Sequence, residues 1–315
     1  MKAVLQYRAS MGFRTALGRV AETAGVEVAT VHEVDEAAFL TEIADADVLL
    51  HVLKPATAAM MDAAPRLRLI QKIGVGVNTI DLDAARARGI AVANMPGTNS
   101  QAVAEMALAL IFAVLRRLSY FDPLIRRGDG WSPDLELTDG VGEICGRTVG
   151  FVGYGASAAR LGPALAALGA EVIYTASSAK PDQAGEFVSL PELLSRADIV
   201  SLHVPLTPET RGLFDAKAFA AMKPGAVLVN TARGELVDEA ALLAALDSGR
   251  LRGAGLDVFA REPVSPDNPL LRSPKVVVAP HVAWLTPETL DRSLAVAMEN
   301  CRRLGAGEDL LHRVV

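Results

Sequence analysis

Cysteine is almost missing from this chain: Cys145 and Cys301 are the only two, and their separation fits neither a disulfide framework nor metal-ligand spacing. They read as structural thiols in a reducing compartment, with no metal centre expected. Aromatic residues make up only 5% of the sequence, while half of it is apolar and alanine is abundant. That balance suits helices packed closely on a parallel sheet. Basic residues are not in excess, since 31 Lys and Arg against 37 Asp and Glu leave a formal net charge of −6 with the signs interspersed. Without a basic stripe to displace phosphate counterions, no nucleic-acid partner is expected. The N-terminal MKAVLQYRAS enters a strand-like run with no signal-peptide core, and no apolar run reads as a bilayer span. The expectation is a cytoplasmic protein without a membrane partner. Collagen-like, disordered and disulfide-rich classes are also excluded.

A length of 315 residues exceeds what one hydrophobic core usually supports, so two domains are expected. The first hundred residues alternate strand-like runs (KAVLQY, VEVAT, ADVLLHV, LRLIQKIG, IAVANM) with helical stretches near 14–24 and 36–43. Residues 100–118, SQAVAEMALALIFAVLRRL, predict a buried helix with Ser100 in place to cap it and Arg116 and Arg117 in its last turn. From 120 to 146 Pro and Gly break the periodicity, which is loop chemistry. A second series follows, with six strand-like runs (TVGFVGYG, AEVIYTA, DIVSLHV, AVLVNTA, GAGLDV, KVVVAP) and helices between them. The fold class expected is α/β, two Rossmann-like doubly wound parallel-sheet domains with the active site in the cleft between them.

Gly153, Tyr154, Gly155, Ala156, Ser157 and Ala158 directly follow the strand TVGFV and open a helix, the context a dinucleotide fingerprint requires. Gly153 permits the tight turn, Gly155 lets a pyrophosphate approach the backbone, and the third position, Ala158, tolerates alanine. The second strand of that series departs from the NAD pattern: Ala176 stands where a carboxylate would hold the ribose 2′-hydroxyl, and the next acidic residue is Asp182. Without a carboxylate to repel a 2′-phosphate, and with Ser177, Ser178 and Lys180 close by, NADP is favoured over NAD and use of both stays open.

Arg233 in NTARGELVDE, Glu262 in GLDVFAREP and His281 in VVVAPHVAW each end an apolar strand-like run downstream of the glycine turn. Arginine offers a planar fork for a substrate carboxylate. Histidine exchanges a proton near neutrality. Glutamate bonded to the second imidazole nitrogen favours the protonated form. These are the parts needed to reduce a 2-keto acid.

The three words and their spacing resemble the D-isomer-specific 2-hydroxyacid dehydrogenase family over nearly the whole chain. The resemblance implies that the last helix returns to the first domain, giving a discontinuous substrate-binding domain of 1–99 and 285–315 and a dinucleotide-binding domain of 100–284. It implies a dimerisation arm over 100–146 and hence a homodimer. It places Val204 and Pro205 near the adenine, Thr231 and Ala232 beside the cofactor on the approach to Arg233, and Asp257 and His281 near the nicotinamide. It places the backbone of Gly74, Val75 and Gly76 against the substrate carboxylate, and Asn99 at the interdomain crossing. The family commonly has Asp-Asn where this chain has Asn78-Thr79. Trp284 looks like the glyoxylate or hydroxypyruvate reductase branch, where a bulky indole would narrow the pocket to small acids. D-lactate, phosphoglycerate, longer 2-keto acids and phosphite remain alternatives. So does a nucleotide-sensing protein resembling the corepressor C-terminal-binding protein. The expectation is a protein without the regulatory extension of many phosphoglycerate dehydrogenases.

Overall fold

A computed structural model describes residues 1–131, 138, 140–180 and 183–315. The chain divides into two compact units, Met1–Asn99 with Trp284–Val315, and Ser100–Ala283.

In the first unit, five short apolar strands form one parallel sheet: β1 (Lys2–Gln6), β2 (Glu27–Val31), β3 (Val48–His51), β4 (Leu69–Lys72) and β5 (Ala91–Ala93), in the order β2-β1-β3-β4-β5. This is the flavodoxin-like form of the doubly wound sheet. Residues on β1, β3 and β4 are almost wholly buried because helices cover both faces, with one apolar cluster on each side. Helix Met11–Ala24 shows why local sequence suffices here. Ser10 accepts from the Phe13 amide at 3.2 Å, Phe13, Leu17 and Ala21 recur on the buried face, and Gly25 closes the helix at φ 65°. Helix Pro287–Ala306, capped by Thr286, lays Leu290, Leu294, Ala297, Met298 and Cys301 into the same cluster. Its buried Asn300 donates to Gln71 Oε1 on β4 at 2.6 Å, and with the Gln71 bonds to the Lys72 and Ala93 carbonyls and the Leu311 amide on Asn300 Oδ1 both amides are satisfied inside the core.

His51, at the end of β3, is 3% exposed, and its Nε2 meets the Lys54 carbonyl at 2.8 Å. Burial, aided by the nearby Lys72 charge, pushes its pKa down to about 3. A depressed histidine contributes stability that is full above the unfolded value of about 6.5 and is lost as pH falls towards the folded value. Each pH unit in that window costs about 1.4 kcal/mol. The melting temperature should therefore drop more steeply between pH 7 and pH 5 in the native protein than in His51→Gln. Parallel melting curves would reject this assignment.

The second unit carries β6 (Thr148–Val152), β7 (Glu171–Thr175), β8 (Glu186–Phe187), β9 (Ile199–Leu202), β10 (Ala226–Asn230), β11 (Leu251–Leu256) and β12 (Val276–Val278). They pair in parallel in the order β12-β11-β10-β9-β6-β7-β8. The sheet grows outward in both directions from β6, so its topological switch point lies between β6 and β9. Apolar clusters again cover both faces.

Three local expectations need correction. The described sheet has a seventh strand, β8, only two residues long and exposed, so no apolar run announces it. Helix Ser100–Leu115 begins at Ser100 instead of being capped by it, and ends before Arg116 and Arg117. Arg117 adopts φ 51° and starts a second helix, Leu118–Arg126, where irregular loop was expected. An Arg126–Asp122 pair one turn apart, at 2.9 Å, supports that helix despite Pro123. The remaining part of the arm, 132–137 and 139, lies outside the described residues, as does Asp182.

Candidate functional site

Every chemistry-bearing residue expected in the second unit follows the carboxyl end of a strand, the edge where open α/β sheets bind ligands. After β6 the chain turns at Gly153, φ 92°, so close to the next crossover that a methyl group there would lie 2.7 Å from the His203 carbonyl oxygen. Only glycine meets both demands. Gly155 then caps helix Ala156–Ala167 with no side-chain hydrogen bond, and open space surrounds the place its Cβ would take. The first amides of the helix, at Ala156, Ser157 and Ala158, therefore have no side-chain acceptor capping them and suit an anion such as a pyrophosphate. Tyr154 turns away from this turn. Its hydroxyl donates to the Ala184 carbonyl at 2.6 Å, its ring lies 4.4 Å from that of Tyr174, and burial raises its pKa. It offers the turn its backbone only.

Ala176 follows β7 directly and is half-buried, while Ser177 and Ser178 are exposed. Lys180 reaches Ser178 Oγ with its Nζ at 3.4 Å, and its amide donates to the Tyr174 hydroxyl at 2.6 Å, which folds this segment back on the strand. Val204 and Pro205 follow β9, where Thr210 donates to the Pro205 carbonyl at 2.7 Å and closes the turn. Thr231, after β10, is buried with no partner for its Oγ1 among the described residues. An orphaned hydroxyl at the same carboxyl edge of the sheet as the open glycine turn is consistent with a ligand that completes the site.

Arg233 sits two residues further on. Its Nη1 donates to the Ala232 carbonyl at 2.6 Å, and burial lowers its pKa although Glu262 and Glu235 oppose that shift. The turn is braced from inside by Asn230, which is 1% exposed. Its Oδ1 accepts from the Ala232 amide at 3.0 Å and its Nδ2 donates to the Arg233 carbonyl at 2.8 Å. The next residue, Gly234, lies so near the neighbouring loop that a methyl group there would be 1.9 Å from the Phe259 carbonyl carbon. Phe259 in turn donates its amide to Glu262 Oε1 at 3.0 Å, and Glu262 Oε2 meets His281 Nδ1 at 2.6 Å. Burial alone would raise the Glu262 carboxyl, but the bond to His281 and the charges of His281 and Arg233 outweigh it and hold it below the ordinary carboxylate range.

His281 has φ 54°, a conformation that non-glycine residues seldom adopt. Asp257 holds it there. The Asp257 carbonyl accepts the His281 amide at 2.7 Å, and the two carboxylate oxygens accept the Val282 and Ala283 amides at 2.9 Å each. Burial raises the Asp257 pKa. Sequence reasoning singled out Asp257 for the cofactor and overlooked this clamp. It also overlooked Asn230 and Gly234, although a polar residue closing a buried strand and a glycine directly after the arginine were both visible.

In the first unit, Gly74 (φ 137°), Val75 and Gly76 form the turn after β4. Met95 donates its amide to the Gly74 carbonyl, and Asn94 Nδ2 donates to that of Val75, both at 2.9 Å. Asn99 is the last residue of this segment and is half-buried. Trp284 is 9% exposed and packs in the apolar cluster with its ring 6.2 Å from that of Tyr7. The indole is thus part of the core. Among the described residues no group of His, Cys, Asp or Glu is arranged to hold a metal, and no helix is long and apolar enough to cross a membrane.

A seven-stranded parallel sheet with a glycine turn at its switch point makes the second unit a dinucleotide-binding α/β unit. Residues 108–283 match the model of the D-isomer specific 2-hydroxyacid dehydrogenase NAD binding domain. The chain is 43% identical over 290 residues to a D-3-phosphoglycerate dehydrogenase of Mycobacterium tuberculosis, covering 90% of this chain and 54% of that protein. It thus spans about half the length of that relative. It is 39% identical over 277 residues to a glyoxylate reductase of Korarchaeum cryptofilum, covering 85% and 82% of the two chains. The TT0316 protein of Thermus thermophilus superposes over 100% of both chains with a TM-score of 0.90 at 38% identity. The chain belongs to the D-isomer specific 2-hydroxyacid dehydrogenase family.

Proposed function

We propose that this protein reduces a small 2-keto acid, glyoxylate or hydroxypyruvate, to the D-2-hydroxy acid with NAD(P)H. The observation that carries the reading is the Glu262–His281 pair at 2.6 Å, tied through Phe259 and Gly234 to the Arg233 turn. When bound, the reduced nicotinamide supplies a hydride to C2 of the keto acid. Arg233 grips the substrate carboxylate through its planar guanidinium. Glu262 holds Nδ1 of His281, which leaves Nε2 to give a proton to the carbonyl oxygen in reduction and to take it back in oxidation. Asn230 and Asp257 touch no reacting atom on this reading, but position the arginine and the histidine.

Support for a small acid comes from the glyoxylate reductase relative, most of whose length this chain covers. A phosphorylated three-carbon acid is the second reading, favoured by the higher identity to the phosphoglycerate dehydrogenase. Steady-state kcat/KM against glyoxylate, hydroxypyruvate, pyruvate and phosphohydroxypyruvate separates the two. The first reading expects the two small unphosphorylated acids to lead by about tenfold or more. A lead for phosphohydroxypyruvate would replace it with the second.

The absence of a carboxylate at Ala176 supports NADPH as the preferred donor, with Ser177, Ser178 and Lys180 as 2′-phosphate contacts. Ala176→Asp should lower kcat/KM for NADPH by about tenfold to a hundredfold through repulsion of that phosphate, and leave NADH little affected. An unchanged ratio of the two specificity constants would count against this assignment. A homodimer is part of the proposal. Helix Leu118–Arg126 has no buried residue and exposes Leu118 and Ile125, which suits a face covered by a second copy.

A further inference from the structure

Opposite the edge that carries Gly153 and His281, the amino-terminal edge of the second sheet gathers cations. Arg147 immediately precedes β6, Arg252 is the second residue of β11, Lys275 immediately precedes β12, and Arg117 stands between helices Ser100–Leu115 and Leu118–Arg126. A methyl group at Gly142 would lie 2.7 Å from Arg147 Nη2 and 3.3 Å from both Arg252 Nη1 and Nη2, so the two guanidiniums flank a single point. Arg117, Arg252 and Lys275 line one pocket together with Ser119 and Pro274.

The polar atoms of this cluster are poorly satisfied. Arg252 Nε and Nη2 are buried without a hydrogen-bond partner. Arg147 uses its Nε on the Glu143 carbonyl and Lys275 its Nζ on the Leu246 carbonyl, so both spend donors on neutral groups. Among the described residues no carboxylate lies within ion-pair distance of any of the four cations, although the Arg147 charge acts on Asp198 at the same edge. Burial lowers the Arg252 pKa, and the charges of Arg147 and Arg117 push it the same way. In a chain with a net charge of −6, four such cations at one edge are a local exception. Buried guanidinium donors left unpaired beside like charges are costly unless an anion completes them.

We propose that Arg117, Arg147, Arg252 and Lys275 form a binding site for a small doubly charged oxyanion of the phosphate or sulfate type, separate from the dinucleotide and substrate edge. Two negative charges match a cluster in which several guanidinium donors converge, and tetrahedral oxygens accept from more than one fork at once. The amino-terminal sheet edge lies a strand's length from the proposed chemistry, so an anion here acts on stability and not as a substrate.

The probe is inorganic sulfate. Melting temperatures of the native protein, Arg252→Gln and the control Arg86→Gln are compared in low-millimolar sodium sulfate and in sodium chloride of equal ionic strength. Arg86 is in the first unit, in an exposed pair with Asp83. The native protein and Arg86→Gln should gain roughly 5 °C from sulfate in hundredfold excess over its Kd. Arg252→Gln should lose most of that gain and, in chloride, melt no lower than the native protein, because an unpaired buried charge has been removed. Sulfate bound at the glycine turn would raise all three proteins alike, so the difference reads the arginine cluster alone. Equal gains in native protein and Arg252→Gln, no gain in the native protein, or loss of the gain in Arg86→Gln would each overturn the site.

Discussion

Arg233→Lys is expected to lower kcat/KM for the 2-keto acid by about a hundredfold to a thousandfold, which corresponds to roughly 3–4 kcal/mol of transition-state binding. An ammonium keeps the charge but loses the planar fork, so one of two parallel hydrogen bonds to the carboxylate goes with it. It also loses the Nη1 contact to the Ala232 carbonyl that anchors the side chain in its turn. The Kd of the reduced cofactor, read from its fluorescence, should stay within a few fold, because Asn230 still braces the backbone that follows β10. A lysine variant within threefold of the native kcat/KM would show that Arg233 does not hold the substrate.

His281→Asn is expected to reduce kcat by about a hundredfold to ten-thousandfold, with a much smaller change in KM. Asparagine is chosen because it tolerates the left-handed backbone that His281 adopts at φ 54°, so the Asp257 clamp on the following amides survives. The proton donor is removed together with its bond to Glu262. Activity that remains should lose the pH dependence that a titrating acid imposes, and kcat as a function of pH reads this directly. Native-like kcat with an unaltered pH profile would assign the proton to another group.

Much of this site was legible from local signals. Strands β6, β9 and β10 read as apolar runs because both faces of the sheet are covered, and the glycine turn followed β6 in the expected strand-to-helix context. Arg233 and His281 stood out as polar residues beyond the ends of such runs, and the Glu262 contact to His281 was expected from chemistry and found at 2.6 Å. What escaped depends on tertiary contact. Gly234 matters because another loop passes against it, and Asp257 because it closes on amides 25 and 26 residues away. No periodicity encodes either. Helix Leu118–Arg126 escaped for a different reason: its apolar stripe, Leu118, Phe121 and Ile125, spans only two turns, and Pro123 between them reads as a break. Trp284 illustrates the converse, since a residue singled out for substrate size is used to fill the core beside Tyr7.

The central claim, that the chain is a D-specific 2-keto acid reductase, is tested most directly with hydroxypyruvate. Purified protein is mixed with NADPH or NADH and the keto acid, loss of the reduced nicotinamide absorbance is followed, and the handedness of the glycerate formed is determined by chiral separation. The account predicts consumption of one cofactor per glycerate and D-glycerate as the product. Saturable cofactor binding without consumption for this or any other 2-keto acid, or formation of the L-isomer, would contradict it.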